Sequence, residues 1–132
     1  MLKIKKSQLN QMLDQLRREA PYEGCGILSG IDDEVMSVYP MTNGAHREDF
    51  FLMVPEEQFK VIKDIRKKGQ KMLAVYHSHP VSRAYPSDKD IEMAHYEDIY
   101  YIIVSLKDGV DVRAYKIKGG QVIEEGILVE EE

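Results

Sequence analysis

The sequence predicts an α/β fold, a single mixed β-sheet flanked by helices, and three observations lead there. Apolar residues recur at helical spacing in two segments, short strand-like runs fill much of the rest, and the two kinds intermingle along the chain. One run, 72–76, is apolar on both alternating faces, as expected of a central strand covered from both sides. The length of 132 residues and a hydrophobic content of 43% suit one domain spanning 1–132.

The elements follow in chain order. Leu9, Met12, Leu13 and Leu16 form an amphipathic helical stripe over 7–20, stopped by Pro21. Residues 26–30 and 34–39, parted by Asp32 and Asp33, read as a hairpin, and 49–54 reads as a further strand. Pro55 suits a first helical turn, and Phe59, Ile62 and Ile65 continue a stripe that ends at Gly69. The central strand at 72–76 runs directly into His77-Ser78-His79-Pro80. A short helix at 87–96 follows, then strands near 99–105, 110–117 and 121–129, with turns at Gly109 and at Gly119-Gly120. Glu130, Glu131 and Glu132 read as a solvated, frayed terminus.

Charge and cysteine usage narrow the function classes. Lys and Arg total 18 against 23 Asp and Glu, a formal charge of -5 with the signs mixed, which argues against a basic face for nucleic acid. Cys25 is the only cysteine, so no intrachain disulfide forms and a reducing cytoplasm is the expected setting. No apolar leader opens the chain. The longest apolar run, 99–104, is far short of the roughly 20 residues that span a bilayer. The expectation is a soluble cytoplasmic protein with no membrane contact.

The chemistry concentrates between 77 and 90. Residues two apart on an extended segment face the same side, so His77 and His79 can aim both imidazoles at one ion while Ser78 points away. Two imidazoles and a carboxylate form a regular zinc set with a fourth position left for water. Asp90 is the favoured third ligand, three residues after Ser87 on one helix face, with Asp88 an open alternative on spacing alone. Ser87 and Asp90 also read as an ordinary capping box. Two further histidines stand apart: His46 in a polar loop stretch, and His95 near the predicted end of the helix, where it suits the negative end of the dipole.

His77, His79, Pro80, six intervening residues, Ser87 and Asp90 resemble the His-x-His-Pro…Ser-x-x-Asp motif of the JAMM, or MPN-plus, metalloproteases. Residues 23–30, with Glu23 and Gly24, look like the family's upstream segment that carries a catalytic glutamate. Asn43, Phe51, Pro55, Glu56 and Glu57 are similar to its small prokaryotic members. The resemblance covers 22–90 and implies a fold like that of the cytidine deaminases. It implies Zn2+ on His77, His79 and Asp90, stabilisation of the tetrahedral intermediate by Ser87, and general acid/base work by Glu23. Composition alone selects none of the 23 acidic residues, so Glu23 rests on the resemblance. Water is then the nucleophile, and Cys25 packs as a small apolar residue.

Only 42 residues follow Asp90, too few for the insertions by which larger relatives grip ubiquitin chains. The resemblance implies a ubiquitin-like or sulfur-carrier protein cleaved after its C-terminal Gly-Gly, by a peptidase or by an isopeptidase that removes a modifier. Residues 49–53 would offer a strand edge to such a tail. The competing readings are a non-catalytic MPN scaffold, which retention of all five site residues opposes, and a zinc hydrolase acting on small amides or nucleobases. The absence of a Pro-Cys-x-x-Cys segment opposes deamination.

Overall fold

A computed structural model describes residues 1–132. The order of elements is β1 (Leu2–Lys5), α1 (Lys6–Glu19), β2 (Cys25–Ile31), β3 (Glu34–Met41), α2 (Pro55–Lys67), β4 (Lys71–His79), α3 (Asp88–Glu92), β5 (Tyr100–Ser105), β6 (Asp111–Lys118), β7 (Gln121–Glu125) and β8 (Ile127–Glu130). All eight strands join one mixed sheet in the order β7-β6-β5-β4-β2-β3-β1-β8. The α/β class, with helices flanking a mixed sheet, is the one the patterning predicts. No helix is long and apolar enough to cross a membrane.

The two faces of the sheet have separate cores. Met12 and Leu16 of α1 pack with Leu28, Tyr76, Ile102 and Val104 on one side. Ile65 of α2 packs with Ile27, Val75 and Tyr101 on the other, together with Cys25. Strand β4 contributes to both, which is why its sequence is apolar at every position through the middle. It pairs antiparallel with β2 and parallel with β5. A parallel pair needs a long crossover, and here residues 80–99 make it, so α3 is carried over the C-terminal end of β4. That topology sets the start of α3, with Ser87 and Asp90, beside His77 and His79.

Three local expectations are corrected. Residues 49–54 form no strand; only an isolated bridge joins Asn43 to Met53. The Asn43 side chain takes the main-chain groups that a ladder would have used, with Oδ1 accepting from the N–H groups of Ala45, His46 and Leu52, and Nδ2 donating to the Phe50 carbonyl. The helix expected over 87–96 stops at Glu92, because the following chain is pinned by Tyr101, whose hydroxyl bonds both main-chain groups of Tyr96. The expected strand 121–129 is two strands. Gly126 separates β7 from β8, which lie at opposite ends of the strand order, so a single residue carries the chain from one edge strand of the sheet to the other.

The acidic terminus is also tied down. Glu130 pairs with Lys5, and Glu132 Oε1 accepts from the Ser7 N–H at 2.8 Å. That N–H belongs to the first turn of α1, where donors lack intrahelical partners and a carboxylate is favoured by the dipole. Strand β1 went unpredicted, its only signal being the alternation of buried Leu2 and Ile4 with exposed lysines.

Candidate metal centre

His77 and His79 end β4 on the same side and are almost fully buried. His77 Nε2 lies 3.1 Å from His79 Nε2 and 3.2 Å from Asp90 Oδ2, and His79 Nε2 lies 3.0 Å from the same oxygen. Asp88 is exposed and outside this triangle, so geometry selects Asp90 from the two carboxylates that spacing left open. Ser87 caps α3: its Oγ accepts from the Asp90 N–H at 3.1 Å, and its own N–H donates to Asp90 Oδ2 at 2.9 Å. The capping box and the three-residue cluster are therefore one arrangement. The box orients the carboxylate toward the imidazoles.

The residues fit a metal ion. His79 Nδ1 is 2.8 Å from the Arg83 carbonyl, which can only accept, so this nitrogen carries the proton and Nε2 turns a lone pair inward. Asp90 Oδ2 faces the same point. A proton on His79 satisfies one of these contacts, whereas a cation at the centre satisfies all three. A tetrahedral ion with bonds of roughly 2.0 Å spaces its ligands roughly 3.3 Å apart, close to the triangle seen here. His77, His79 and Asp90 are thus a group that could hold a metal ion.

Charges in the cluster respond to burial and to each other. Burial lowers His77, and it acts on His79 in the same direction. There the hydrogen bonds to Asp90 and the Arg83 carbonyl, with the charge of Glu23, reverse the outcome and raise it. Burial works to raise Asp90, yet the two imidazoles, which donate to its carboxylate when protonated, and the Ser87 N–H hold it well below the usual carboxylate range. Glu23, at the chain's entry to β2, is pushed up to about 8, chiefly by burial; His79 opposes this, and Asp90 and Asp49 add to it. Its Oε1 is buried without a hydrogen-bond partner. A carboxyl group poised near neutrality beside a metal triangle is suited to proton transfer.

That poise has a measurable consequence. An acid whose pKa rises on folding binds protons more tightly in the folded state, so metal-free stability falls as pH rises from 4.5, the ordinary value of a glutamate, to about 8. Glu23→Gln removes the effect of this one proton, at most about 1.4 kcal/mol per pH unit. Denaturant unfolding of the metal-free protein is expected to show the variant increasingly more stable than wild type across that window. Parallel stability–pH curves for the two proteins would remove the assignment.

A cleft of about 230 Å³ opens beside His77 and Asp90. Phe50, Leu52, Met93, Tyr96 and Ile117 line it, and the Phe51 ring lies 4.6 Å from that of His77. The segment expected to give a strand edge is instead a cleft wall. His95 lines the same cleft, beyond the end of α3, so its expected place at a helix terminus is corrected. His46 stacks on Tyr22 at 3.9 Å and takes no part in the triangle. Cys25 is buried in the core, its thiol pushed up to about 12 by burial first and then by Glu19 and Glu57. Asn43 entered the sequence reading only as a residue similar to the small prokaryotic members, with no role given, and Ser78 was not expected to matter to the site. The only hint of Ser78 was its place between two histidines.

A mixed sheet that delivers two imidazoles and a carboxylate to one point, beside a buried acid and an apolar cleft, defines a hydrolase scaffold of the JAMM type. Residues 5–118 match the family model described as prokaryotic homologs of the JAB domain, and the chain belongs to that family. It is 34% identical over 135 residues to the CysO-cysteine peptidase of Mycobacterium tuberculosis, covering 99% of this chain and 92% of the relative. A probable TtuB-protein conjugate cleaving protease of Thermus thermophilus is 36% identical, covering 92% and 80%. The desampylase of Haloferax volcanii is 32% identical, covering 85% and 81%. Among solved structures, the Desulfitobacterium hafniense protein DSY2949 superposes with a TM-score of 0.90 at 37% identity, covering 100% and 94%. A JAMM protein described as having a metalloprotease-like zinc site shares the fold, with a TM-score of 0.65 at 22% identity over 98% of each chain. The named relatives are peptidases and deconjugating proteases, and this chain is a hydrolase.

Proposed function

We propose that this chain is a zinc-dependent peptidase that cleaves after the C-terminal Gly-Gly of a ubiquitin-like sulfur-carrier protein. The observation that carries the reading is the convergence of His77 Nε2, His79 Nε2 and Asp90 Oδ2 within hydrogen-bond distance of one another, beside the buried carboxyl of Glu23. Those three residues would hold Zn2+, which when bound supplies Lewis-acid polarisation and an acidified water. Glu23 takes the proton of the attacking water and returns it to the leaving amine. The Ser87 hydroxyl, whose oxygen accepts from the Asp90 N–H, keeps its own hydrogen free to donate to the oxyanion. The apolar cleft walled by Phe50 and Leu52 receives the extended tail and excludes water from it.

The sulfur-carrier substrate is favoured by the relative named for CysO-cysteine, which matches along nearly the whole chain. A second reading, release of ubiquitin-like modifiers from conjugated lysine, is favoured by the conjugate-cleaving and desampylase relatives. We assign the catalytic unit to a single domain spanning 1–132 and its work to the cytoplasm, where the lone Cys25 suits a reducing environment. The deciding experiment offers a carrier ending in Gly-Gly-Cys and, separately, a carrier joined to lysine, and follows product masses. Cysteine release that stops on chelation and returns with zinc is expected. Zinc-loaded protein that cleaves neither substrate would exclude this substrate class.

A further inference from the structure

Glu23 is buried, yet its Oε1 has no hydrogen-bond partner, so the aim of its side chain is set by the main chain on either side. The Glu23 N–H donates to the Arg47 carbonyl at 2.9 Å, and the Glu23 carbonyl accepts from Asn43 Nδ2 at 2.9 Å. The third anchor is at Gly24. Cys25 pairs with His77 in the β2–β4 ladder, so the next pair along is Gly24 with Ser78. A closely spaced antiparallel pair normally exchanges two main-chain bonds. One is made, from the Ser78 N–H to the Gly24 carbonyl at 3.0 Å. The return bond departs from the pattern, because the Gly24 N–H donates to Ser78 Oγ at 2.9 Å.

The exchange has a directional consequence. Alternation along β4 sets Ser78 on the α1 face, opposite His77 and His79. Gly24 is pressed against that face, where a Cβ would lie 2.7 Å from Leu16 Cδ2. The hydroxyl draws Gly24 out of the regular ladder at the residue adjoining Glu23. Ser78 is fully buried, and a buried hydroxyl is costly unless it is bonded, so this contact also accounts for a polar residue in an otherwise apolar interior.

Building on the acid/base role of Glu23 proposed above, we infer that Ser78 is a positioning residue that aims Glu23 at the metal centre through the Gly24 peptide. One strand, β4, then sets both the histidine ligands and the direction of the acid. Ser78 touches neither substrate nor metal in this scheme. Its effect passes through one peptide group.

The test compares wild type with Ser78→Ala and Ser78→Thr in the whole chain. Ser78→Ala is expected to keep zinc affinity and KM within about twofold while kcat falls roughly 10- to 100-fold, the cost of misplacing a reacting group by about an ångström. Ser78→Thr, which keeps the hydroxyl, is expected to restore kcat to within about threefold of wild type on the same scale. In the metal-free protein, amide exchange at Gly24 should accelerate more than about tenfold in Ser78→Ala alone. In the Co2+-substituted protein, paramagnetic relaxation of a 13C-labelled Glu23 carboxyl should weaken in the same variant. Ser78→Cys, nearly isosteric with a weaker acceptor, replaces alanine if that variant folds poorly.

Unchanged kcat in a folded Ser78→Ala protein overturns the inference, as does a loss of kcat matched by loss of zinc. Unchanged Gly24 exchange or unchanged Glu23 relaxation has the same force. The exchange and relaxation measurements need no substrate, so they decide the role of Ser78 even if every Gly-Gly substrate fails.

Discussion

Alanine at Asp90 is expected to lower zinc affinity by more than about 100-fold, above the usual 10- to 100-fold range for losing a mere supporting group, and to take hydrolysis to background. The reason is the geometry of a three-residue triangle: His77, His79 and Asp90 form the one group of three or more histidine, cysteine or acidic side chains whose ligand atoms all lie within 4.8 Å of one another. The same substitution removes the acceptor for the Ser87 N–H, costing about 1 kcal/mol of helix capping. Asp90→Asn separates the two effects, since its amide oxygen can retain the cap without the charge. Both variants should lose metal in a chelator competition, and only alanine should lose appreciable stability in the metal-free form. Retention of zinc by either protein at wild-type affinity would remove Asp90 from the ligand set.

Glu23→Gln is expected to lower kcat roughly 10²- to 10⁴-fold with zinc retained, the range that a positioned general base supplies. Glutamine matches glutamate in size and cannot take a proton from water. Glu23 bonds to the neighbouring loop only through its main chain, so the substitution leaves those anchors in place. Metal content should therefore match wild type, and KM should change little. A variant that turns over at an undiminished rate would transfer the acid/base role to another group. The combination of slow turnover and greater metal-free stability near neutral pH would be hard to reproduce by unfolding or misfolding.

Parts of the site were legible in the chain and parts were not, for identifiable reasons. His77 and His79 follow an apolar strand, and period-two alternation is enough to set them on one side. Ser87 and Asp90 carried two apparently competing meanings, a helix cap and a metal motif, and the structure makes them one because Asp90 Oδ2 meets both the Ser87 N–H and the imidazoles. Glu23 was not selectable by local pattern, since its place depends on β2 running antiparallel beside β4, a pairing between residues about fifty apart. The run 49–54 has the composition of a strand, but Asn43, several residues upstream, bonds its main chain and turns it into a cleft wall.

Sequence by itself determined the α/β class, most of the helices and strands, and the identity of the histidine pair, because these follow from local periodicity and from covalent neighbours. Local pattern alone left open which acid stands beside the histidines and which carboxylate completes the triangle; the motif resemblance named Glu23 and Asp90, and the tertiary structure is what brings both there. It also decided that β7 and β8 part at Gly126 to occupy opposite ends of the strand order, and that the hydroxyl between the two histidines reaches Gly24. Each of these is a contact between segments distant in the chain. Such contacts are set by strand order, crossover path and burial, which no short window of residues encodes.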